Sequence, residues 1–486
     1  MNKSYRSIYN EELGAWVAVA ENVPAKGKKG KAGGAIIAAA VIANAAGAVA
    51  QAQIVVIGTD TSSANDNGAT ATFNGVSSTD GNSVAIGTSA TANAGSSIAI
   101  GNKAYAVTGP AVGGEYKVAV AIGWGASATG GDSLAFGANS IAAGTNSSSF
   151  GNQAKTSAAN SIAIQGLTDG MWAPSRTSAE VIDAASTSGV AVGNYATIKG
   201  STDSVSIGTN ASIASGSANS VAFGKNASIA MGATGAIAFG NAANVNASAT
   251  SAVAIGNSAT AKAAKTVALG NAALAAAVDS IAIGDHTTSS GENSIAVGVN
   301  ASATNNNAIA VGNTANATND RTIAIGLSAS ATTSDTIAIG SNAKSTNSYA
   351  LAIGQNAYAS NSNSIAIGAN TVSSNAANTI SLGNSSTSLG NNAISIGNSN
   401  TVDANSDSSV AVGNKNTVTL AKRTMVFGNN INAIYDNNVI LGDSSTDKQK
   451  RQVSSATVGG TTYSSFAGTA SGVVSIGGVG TERQLV

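Results

Sequence analysis

The chain lacks the residue types on which most enzymes and many small secreted domains depend. Among its 486 residues there is no cysteine, one histidine and three prolines. The absence of cysteine excludes thiol nucleophiles, thiolate zinc sites and disulfide bonds, so a secreted form must be held together by packing, hydrogen bonds or oligomerisation. His286 alone cannot assemble a multi-histidine metal site. We therefore expect no metal, no cofactor and no catalytic residue.

Charged and aromatic side chains are also scarce, at 9% and 4% of the residues, whereas glycine occupies 57 positions. So few large side chains leave little to fill a conventional core. Disorder is not favoured either, because disordered chains usually combine low hydrophobicity with high net charge, and this chain has a net charge of zero. The same balance provides no basic surface for nucleic acid. The composition predicts a folded, thin and repetitive protein.

The N-terminal region has the features of an export signal. A lysine-rich segment ending at Lys31 precedes an uncharged apolar run from Gly33 to Ala50, and Ala48-Val49-Ala50 supplies a small-x-small cleavage pattern. The run is too short and too rich in alanine to span a bilayer well. We predict a cleaved signal peptide over residues 1–50, followed by an N-terminal segment of the mature chain at 51–82 that contains its first coils.

A short motif recurs along most of the chain: a small or polar residue, Val or Ile, Ala, a second apolar residue and Gly. It reads SVAIG at Ser83–Gly87, and a closing glycine occupies every fourteenth position from Gly256 to Gly368, with slightly wider spacings elsewhere. From Gly87 to Gly442 there are 24 units. Apolar and small residues alternate within each unit, which predicts a strand, and polar clusters predict turns. Two short strands and two turns make one coil of a parallel solenoid, roughly 110 Å long at about 4.8 Å per coil.

The two faces of the motif strand differ in size. Ile281 and Ile283 lie on the bulky face, whereas Ser280, Ala282 and Gly284 lie on the small face. So small a coil has room inside mainly for small side chains, so we expect the bulky face to point outward. A continuous apolar stripe of this length exceeds what a monomer exposes, and it predicts self-association. We favour three chains around one axis, although the physics requires only some partner. The residues assigned to this trimer-core or packing stripe are Ile281, Ile283, Ile295, Val297, Ile309, Val311, Ile323, Ile325, Ile337 and Ile339.

Two insertions interrupt the period, near residues 104–118 and 167–189, within a repeat region that we place at 83–447. Insertions in solenoids form loops on the outer face, which is often the binding face, and aromatic and arginine side chains are favoured at interfaces. The candidate ligand residues are Tyr105, Tyr116, Trp124, Trp172 and Arg176. The alternative is that each tryptophan packs its own loop onto the roll.

The repeats resemble the head repeats of the YadA-like trimeric autotransporter adhesins over roughly residues 83–442. The segment from Met1 to Glu21 closely resembles the extended signal peptide region of large autotransporters, although Tyr9 stands where family members commonly have tryptophan. Residues 448–486 are similar to the connector between head and neck in this family. The neck-like residues are Ser475, Gly477, Glu482 and Arg483.

The resemblance implies an all-β fold, a left-handed parallel β-roll solenoid of about 14-residue coils assembled as a homotrimer. It also implies export to the cell surface and outer membrane of a Gram-negative bacterium. The implied partners are host matrix proteins such as collagen, fibronectin or laminin, or other bacterial cells through autoagglutination. The family pattern continues past Val486 into a stalk and a C-terminal membrane anchor, so we expect this chain to be truncated before both.

Two alternatives to an adhesin remain open. The first is a passive rigid spacer within a longer surface fibre. The second is a carbohydrate-active β-solenoid enzyme, which would need several acidic and basic residues converging on one groove. The sequence shows no such cluster, although one could arise across successive coils.

Overall fold

The structure is a computed structural model that describes residues 5–10, 15–20, 55–57, 83–87, 89–93, 96–108, 117–166, 181–451, 454–465, 470–484 and 486. Of the strands at 5–10, 15–20 and 55–57 it describes the backbone alone. Within these ranges the chain forms strands and turns and no helix. The fold is an all-β parallel solenoid whose regular coils have the predicted length, which confirms the predicted fold class at that level.

One coil of the regular region shows how the repeat is built. The strand Ile295–Val297 is followed by a turn, the strand Ser302–Ala303 and a second turn. The next coil pairs with it in parallel, so that Ile295 lies beside Ile309. The Ile295 amide donates to the Ala308 carbonyl at 2.9 Å. Because each coil satisfies its backbone groups with the coils before and after it, the hydrogen bonds run along the axis of the solenoid.

The motif strands form one parallel sheet, which we call the first sheet. Its strands are Val55–Ile57, Val84–Ile86, Ile98–Ile100, Ala119–Ile122, Ser133–Phe136, Ser148–Phe150, Ile162–Ile164, Val190–Val192, Val205–Ile207, Val221–Phe223, Ile237–Phe239, Val253–Ile255, Val267–Leu269, Ile281–Ile283, Ile295–Val297, Ile309–Val311, Ile323–Ile325, Ile337–Ile339, Leu351–Ile353, Ile365–Ile367, Ile380–Leu382, Ile394–Asn398, Val410–Asn414, Met425–Asn429, Val439–Leu441 and Val474–Ile476.

The shorter strands form the second sheet, which is divided into a five-stranded and a 17-stranded part. The five strands are Thr91–Asn93, Tyr105–Val107, Ser127–Ala128, Ile141–Ala142 and Lys155–Thr156. The 17 strands are Thr197–Ile198, Ser212–Ile213, Ser228–Ile229, Asn244–Val245, Thr260–Ala261, Leu274–Ala275, Thr288–Ser289, Ser302–Ala303, Asn316–Ala317, Ser330–Ala331, Lys344–Ser345, Tyr358–Ala359, Val372–Ser373, Thr387–Ser388, Thr401–Val402, Thr417–Val418 and Asn432–Ala433.

The two predicted insertions leave the first sheet continuous. Ile98–Ile100 pairs with Ala119–Ile122, and Ile162–Ile164 pairs with Val190–Val192. In the second sheet the later insertion separates the two parts, which the described residues link through single bridges from Ile182 to Thr156 and Ile198 and through backbone hydrogen bonds, such as that from the Ser157 amide to the Ile182 carbonyl at 2.9 Å. Two antiparallel hairpins lie outside the coils, formed by Tyr5–Asn10 with Ala15–Ala20 and by Ser455–Val458 with Thr461–Ser464.

Residues at the corners of the coils adopt left-handed backbone conformations. Asn293, Asn300 and Asn307 have φ values of 55°, 53° and 57° and lie at every seventh position. Each regular coil is therefore two similar half-coils, a strand and a corner repeated twice. Asparagine is frequent at these corners because it tolerates the left-handed region better than most residues do. At Gly298, where φ is 132°, a Cβ would also collide with the carbonyl of Gly312 in the next coil, so only glycine fits.

The interior of the regular coils is filled by small side chains. Ala296, Ala303 and Ala310 are fully buried, as are the equivalent alanines and serines of neighbouring coils. Large buried side chains occur at the Ala303 position in the coils whose closing glycines are more widely spaced. These residues are Ile198, Ile213, Ile229, Val245, Val402 and Val418. At this position the coil length thus determines how large a side chain the interior accepts. At other positions large side chains are also buried in a coil of regular length, as Ile431 and Ile440 show between Gly428 and Gly442.

The longer coils gain their room from an additional corner. In the coil of Ile213, Gly216 has a φ of 76° and is followed by the buried Ser217, so this coil has three corners instead of two. The Ser217 hydroxyl donates to the Ala230 carbonyl at 2.7 Å, and the Ser217 amide donates to the Ser201 hydroxyl at 2.9 Å. The added residues therefore enter the interior with their polar groups bonded.

Candidate interaction surfaces

The outer faces of the two sheets differ in chemistry. In the first sheet, most of the described strands place two apolar side chains outward, on either side of a buried alanine or serine. In the second sheet, the outward positions of the regular coils are mostly polar, as at Ser302, Asn316 and Ser330. The solenoid is therefore a rod with one apolar and one polar sheet face. The apolar face is the larger candidate surface for an interaction.

The structure brings the ten predicted stripe residues together in two columns. We call the column of Ile281, Ile295, Ile309, Ile323 and Ile337 the first column. The second column contains the residues that precede the closing glycines, namely Ile283, Val297, Val311, Ile325 and Ile339. Nine of these side chains are half-buried, and Ile325 is 37% exposed. They lie on the outside of the roll, and their role in a trimer core remains a prediction.

Phenylalanine follows a pattern that the sequence analysis missed. Every phenylalanine in the described part of the chain lies in the second column. These residues are Phe136, Phe150, Phe223, Phe239 and Phe427. The rings of Phe223 and Phe239 are stacked, with centroids 4.8 Å apart and planes inclined by 7°. The signal was present in the sequence, because each of these phenylalanines directly precedes a closing glycine.

Of the candidate ligand residues, the structure describes two. Tyr105 is 42% exposed and projects from the second sheet, whereas Trp124 is 52% exposed and lies in the turn after Gly123. They belong to adjoining coils but to different parts of the coil surface. Tyr116, Trp172 and Arg176 lie outside the described residues. Their part in ligand binding stays a prediction.

Amide side chains form ladders along one edge of the rod. Asn241 donates to Asn257 at 2.8 Å, Asn257 donates to Asn271 at 2.8 Å, and Asn271 donates to Asp285 at 2.7 Å. The hydrogen bonds from Asn271 and His286 lower the pKa of Asp285. In this position of the coil Trp124 replaces the amide. The edge is therefore exposed and polar over the ladder and aromatic near its N-terminal end.

Charged groups are few and stabilise corners. Arg321 donates to Asp335 of the next coil through Nε at 2.6 Å and Nη2 at 2.8 Å, and this pair lowers the pKa of Asp335. Asp183 and Asp403 each accept from the serine three residues later and from a backbone amide of the next coil. In the described part of the chain no group of acidic or histidine side chains could hold a metal ion.

The neck-like residues close the C-terminal end of the rod. Ser475 lies in the last strand of the first sheet, and its hydroxyl donates to the Thr446 carbonyl at 2.6 Å. The Gly477 amide donates to the Ser445 hydroxyl at 2.8 Å. Arg483 donates to the Asp443 carbonyl at 3.0 Å and to Ser445 at 3.2 Å. Glu482 accepts from the Gly480 amide at 2.9 Å, and backbone hydrogen bonds lower its pKa.

In the part of the chain that the structure describes, no helix is long and apolar enough to cross a membrane. Residues 1–51 match the family model of the extended signal peptide of the type V secretion system. The model of the YadA head domain repeat matches residues 81–104, 119–140, 142–164, 247–273, 261–287, 289–315, 317–343 and 345–371. No curated protein matches the chain. The matched head segments lie largely in the coils of regular length.

Proposed function

Since the chain belongs to the YadA-like trimeric autotransporter adhesins, we propose that it forms the head of a homotrimer that attaches a bacterium to host matrix or cells. The extended signal peptide indicates export, to a secreted or surface-exposed form. The YadA head family is a family of non-enzymatic adhesins. We further propose that the head is a left-handed roll and is displayed at the outer membrane.

The observation that carries the trimer is the apolar face of the first sheet. At about 4.8 Å per coil and about 10 Å in width, this face covers on the order of 1,000 Å² per chain. Monomers rarely expose a contiguous apolar patch of more than about 300–600 Å². Specific protein interfaces bury about 1,200–2,000 Å² in total, so two such faces are sufficient for a stable association. Three chains that turn this face inward would leave the polar faces to the solvent.

Adhesion would then depend on the surfaces that remain outside. Tyr105 and Trp124 are exposed and lie within or next to the first insertion, and Tyr116, Trp172 and Arg176 are proposed to join them from the two loops. A trimer presents each of these groups three times, so weak contacts to a repetitive matrix protein or to another cell would combine into avidity. Collagen, fibronectin or laminin, and autoagglutination, are the proposed targets.

The assembly is tested on the mature chain joined at its C-terminus to a trimerising coiled coil, and on the same chain without it. Sedimentation of the chain without the coiled coil should give a trimer at micromolar concentration. A monomer there would contradict the argument from the apolar face.

Binding is tested by screening the trimer against immobilised matrix proteins and whole cells. A variant with Tyr116→Ala and Trp172→Ala should lose binding and remain trimeric. The matched control is Tyr358→Ala, which removes an exposed tyrosine of the second sheet far from both insertions. Absence of binding by the unmodified trimer would favour the rigid spacer, and turnover of a polysaccharide would favour the enzyme.

A further inference from the structure

Five phenylalanines stand on an apolar face whose other outward residues are mostly Ile, Val or Leu. Phe136, Phe150, Phe223, Phe239 and Phe427 all lie in the second column, where the other coils mostly carry Ile, Val or Leu. We propose that these rings fix the axial register in which copies of this chain pack face to face, the occupant of the apolar face being a second copy of the chain. This inference rests on the self-association proposed above and specifies how it is aligned.

A face built from identical coils does not by itself fix the axial position of one chain relative to a neighbouring chain. From Val253–Ile255 to Ile365–Ile367 every strand presents two aliphatic residues at the same spacing. A neighbouring chain displaced by one coil, about 4.8 Å, would meet an equivalent aliphatic surface. It would lose only the contacts of the last coil. Weakly specified register of this kind leads to slippage in β-structures.

The phenylalanines remove this degeneracy because their rings are larger than the aliphatic side chains around them. Phe223 and Phe239 form a stacked block two coils high, and Phe223 is 42% and Phe239 47% exposed. In the aligned arrangement, blocks of different chains meet at one level. After a slip of one coil, Phe239 of one chain meets Ile255 or Phe223 of another, so the face has an overlap at one coil and a gap at another. Both defects are unfavourable in packed interfaces.

The spacing of the phenylalanines strengthens the alignment. Four successive strand pairings separate Phe150 from Phe223, and thirteen separate Phe239 from Phe427. Because the intervals differ, no displacement by one or more coils aligns all five rings with rings. In a closed ring of three chains the displacements must also sum to zero. A slipped chain is therefore mismatched against both of its neighbours.

The chain has no cysteine, so introduced cysteines report the register directly. Two differently tagged chains are co-expressed, one carrying Val297→Cys and the other Val311→Cys, which are one coil apart in the second column. This combination reports an offset pair, displaced by one coil. In a second experiment both chains carry Val311→Cys, which reports a same-level pair. A disulfide requires Cβ atoms about 3.5–4.5 Å apart, so a shift of one coil changes which pair forms. A parallel set places the cysteines at Ile295 and Ile309 in the first column.

In the natural background we expect same-level disulfides to exceed offset disulfides by about tenfold or more, the ratio that a preference of about 1.4 kcal/mol gives. Replacing all five phenylalanines by isoleucine should abolish this excess while sedimentation still shows the trimer. Adding Leu269→Phe and Ile283→Phe to that variant creates a new pair of phenylalanines in adjacent coils. This pair should restore the excess of same-level disulfides. An isoleucine variant that keeps the excess, or a natural chain that lacks it, overturns the register proposal. A monomer without disulfides of either kind overturns the trimer itself.

Discussion

Coil length should decide how large a side chain is tolerated at the buried Ala303 position of a coil. The substitution Ala303→Ile tests this most directly. Ala303 is fully buried in a coil of regular length, with Ser289 and Ala317 as its neighbours along the second sheet. The larger side chain cannot be placed there without moving a backbone that is hydrogen-bonded on both sides. Overpacking of this kind typically costs about 1–3 kcal/mol. The reverse change, Ile213→Ala in one of the longer coils, leaves a cavity and should cost about 2–5 kcal/mol.

Lengthening the coil should compensate for the larger side chain of the Ala303→Ile variant. Inserting Gly-Ser after Asn305 in the Ala303→Ile variant reproduces the third corner that Gly216 and Ser217 form in the longer coil. The insertion should recover most of the lost stability. Long and short coils can be neighbours, because the strand of Val245 pairs directly with the strand of Ala261.

Hydrogen–deuterium exchange of peptides covering residues 288–318 is the appropriate assay, since stability in a solenoid is a local quantity shared among neighbouring repeats. Thermal unfolding followed by circular dichroism gives the global effect. The matched control is Ala303→Ser, which should be tolerated because serine occupies the same position at Ser289 and Ser345. Two results would contradict the reasoning: an Ala303→Ile variant as stable as Ala303→Ser, or an insertion that does not restore the stability of Ala303→Ile. Either would mean that coil length does not limit the size of the buried side chain.

Three further predictions concern single positions. Gly298→Ala should cost about 1–3 kcal/mol in thermal or chemical unfolding, because its backbone has a positive φ and the added methyl group meets the next coil; full stability would contradict this. Asn416→Ala should cost about 1–3 kcal/mol for each buried carbonyl or amide that loses its partner, whereas Asn398→Ala, at an exposed position, should change little in the same assay. Arg321→Gln should lower the thermal midpoint at neutral pH by a small amount. Because the pKa of Asp335 is lowered in the folded chain, this difference is fully present above the ordinary aspartate pKa and disappears as the pH falls through the lowered value; a difference that persists in acid would refute the assignment.

Much of the coil could be predicted because its pattern is strictly local. The alternation in Ser280–Gly284 predicts the strand, and the closing glycines give the offset between coils. The outward direction of Ile281 and Ile283 follows from the size of the coil interior.

Other features could not be predicted because they depend on contacts between coils. Asparagine is expected in turns, yet Asn400 and Asn416 are fully buried and bond the backbone of the following coil. The wider spacings of some closing glycines were visible, but the third corner that explains Ile213 was not. Of the predicted ligand loops, Trp124 is described and Trp172 is not, so the binding surface remains a proposal.

The direction of the hydrogen bonds determines how the rod carries a mechanical load. Tension along the axis passes through every junction between coils in series, so the rod is as strong as its weakest junction. Among the described coils from Val84 to Leu441, the least regular second-sheet pairing lies between Ile162–Ile164 and Val190–Val192, where Ile182 forms isolated bridges to Thr156 and Ile198. We expect a pulled rod to part there first, so that the N-terminal coils separate from an intact C-terminal part. In a surface fibre under tension, this junction would break before the coils on its C-terminal side unfold.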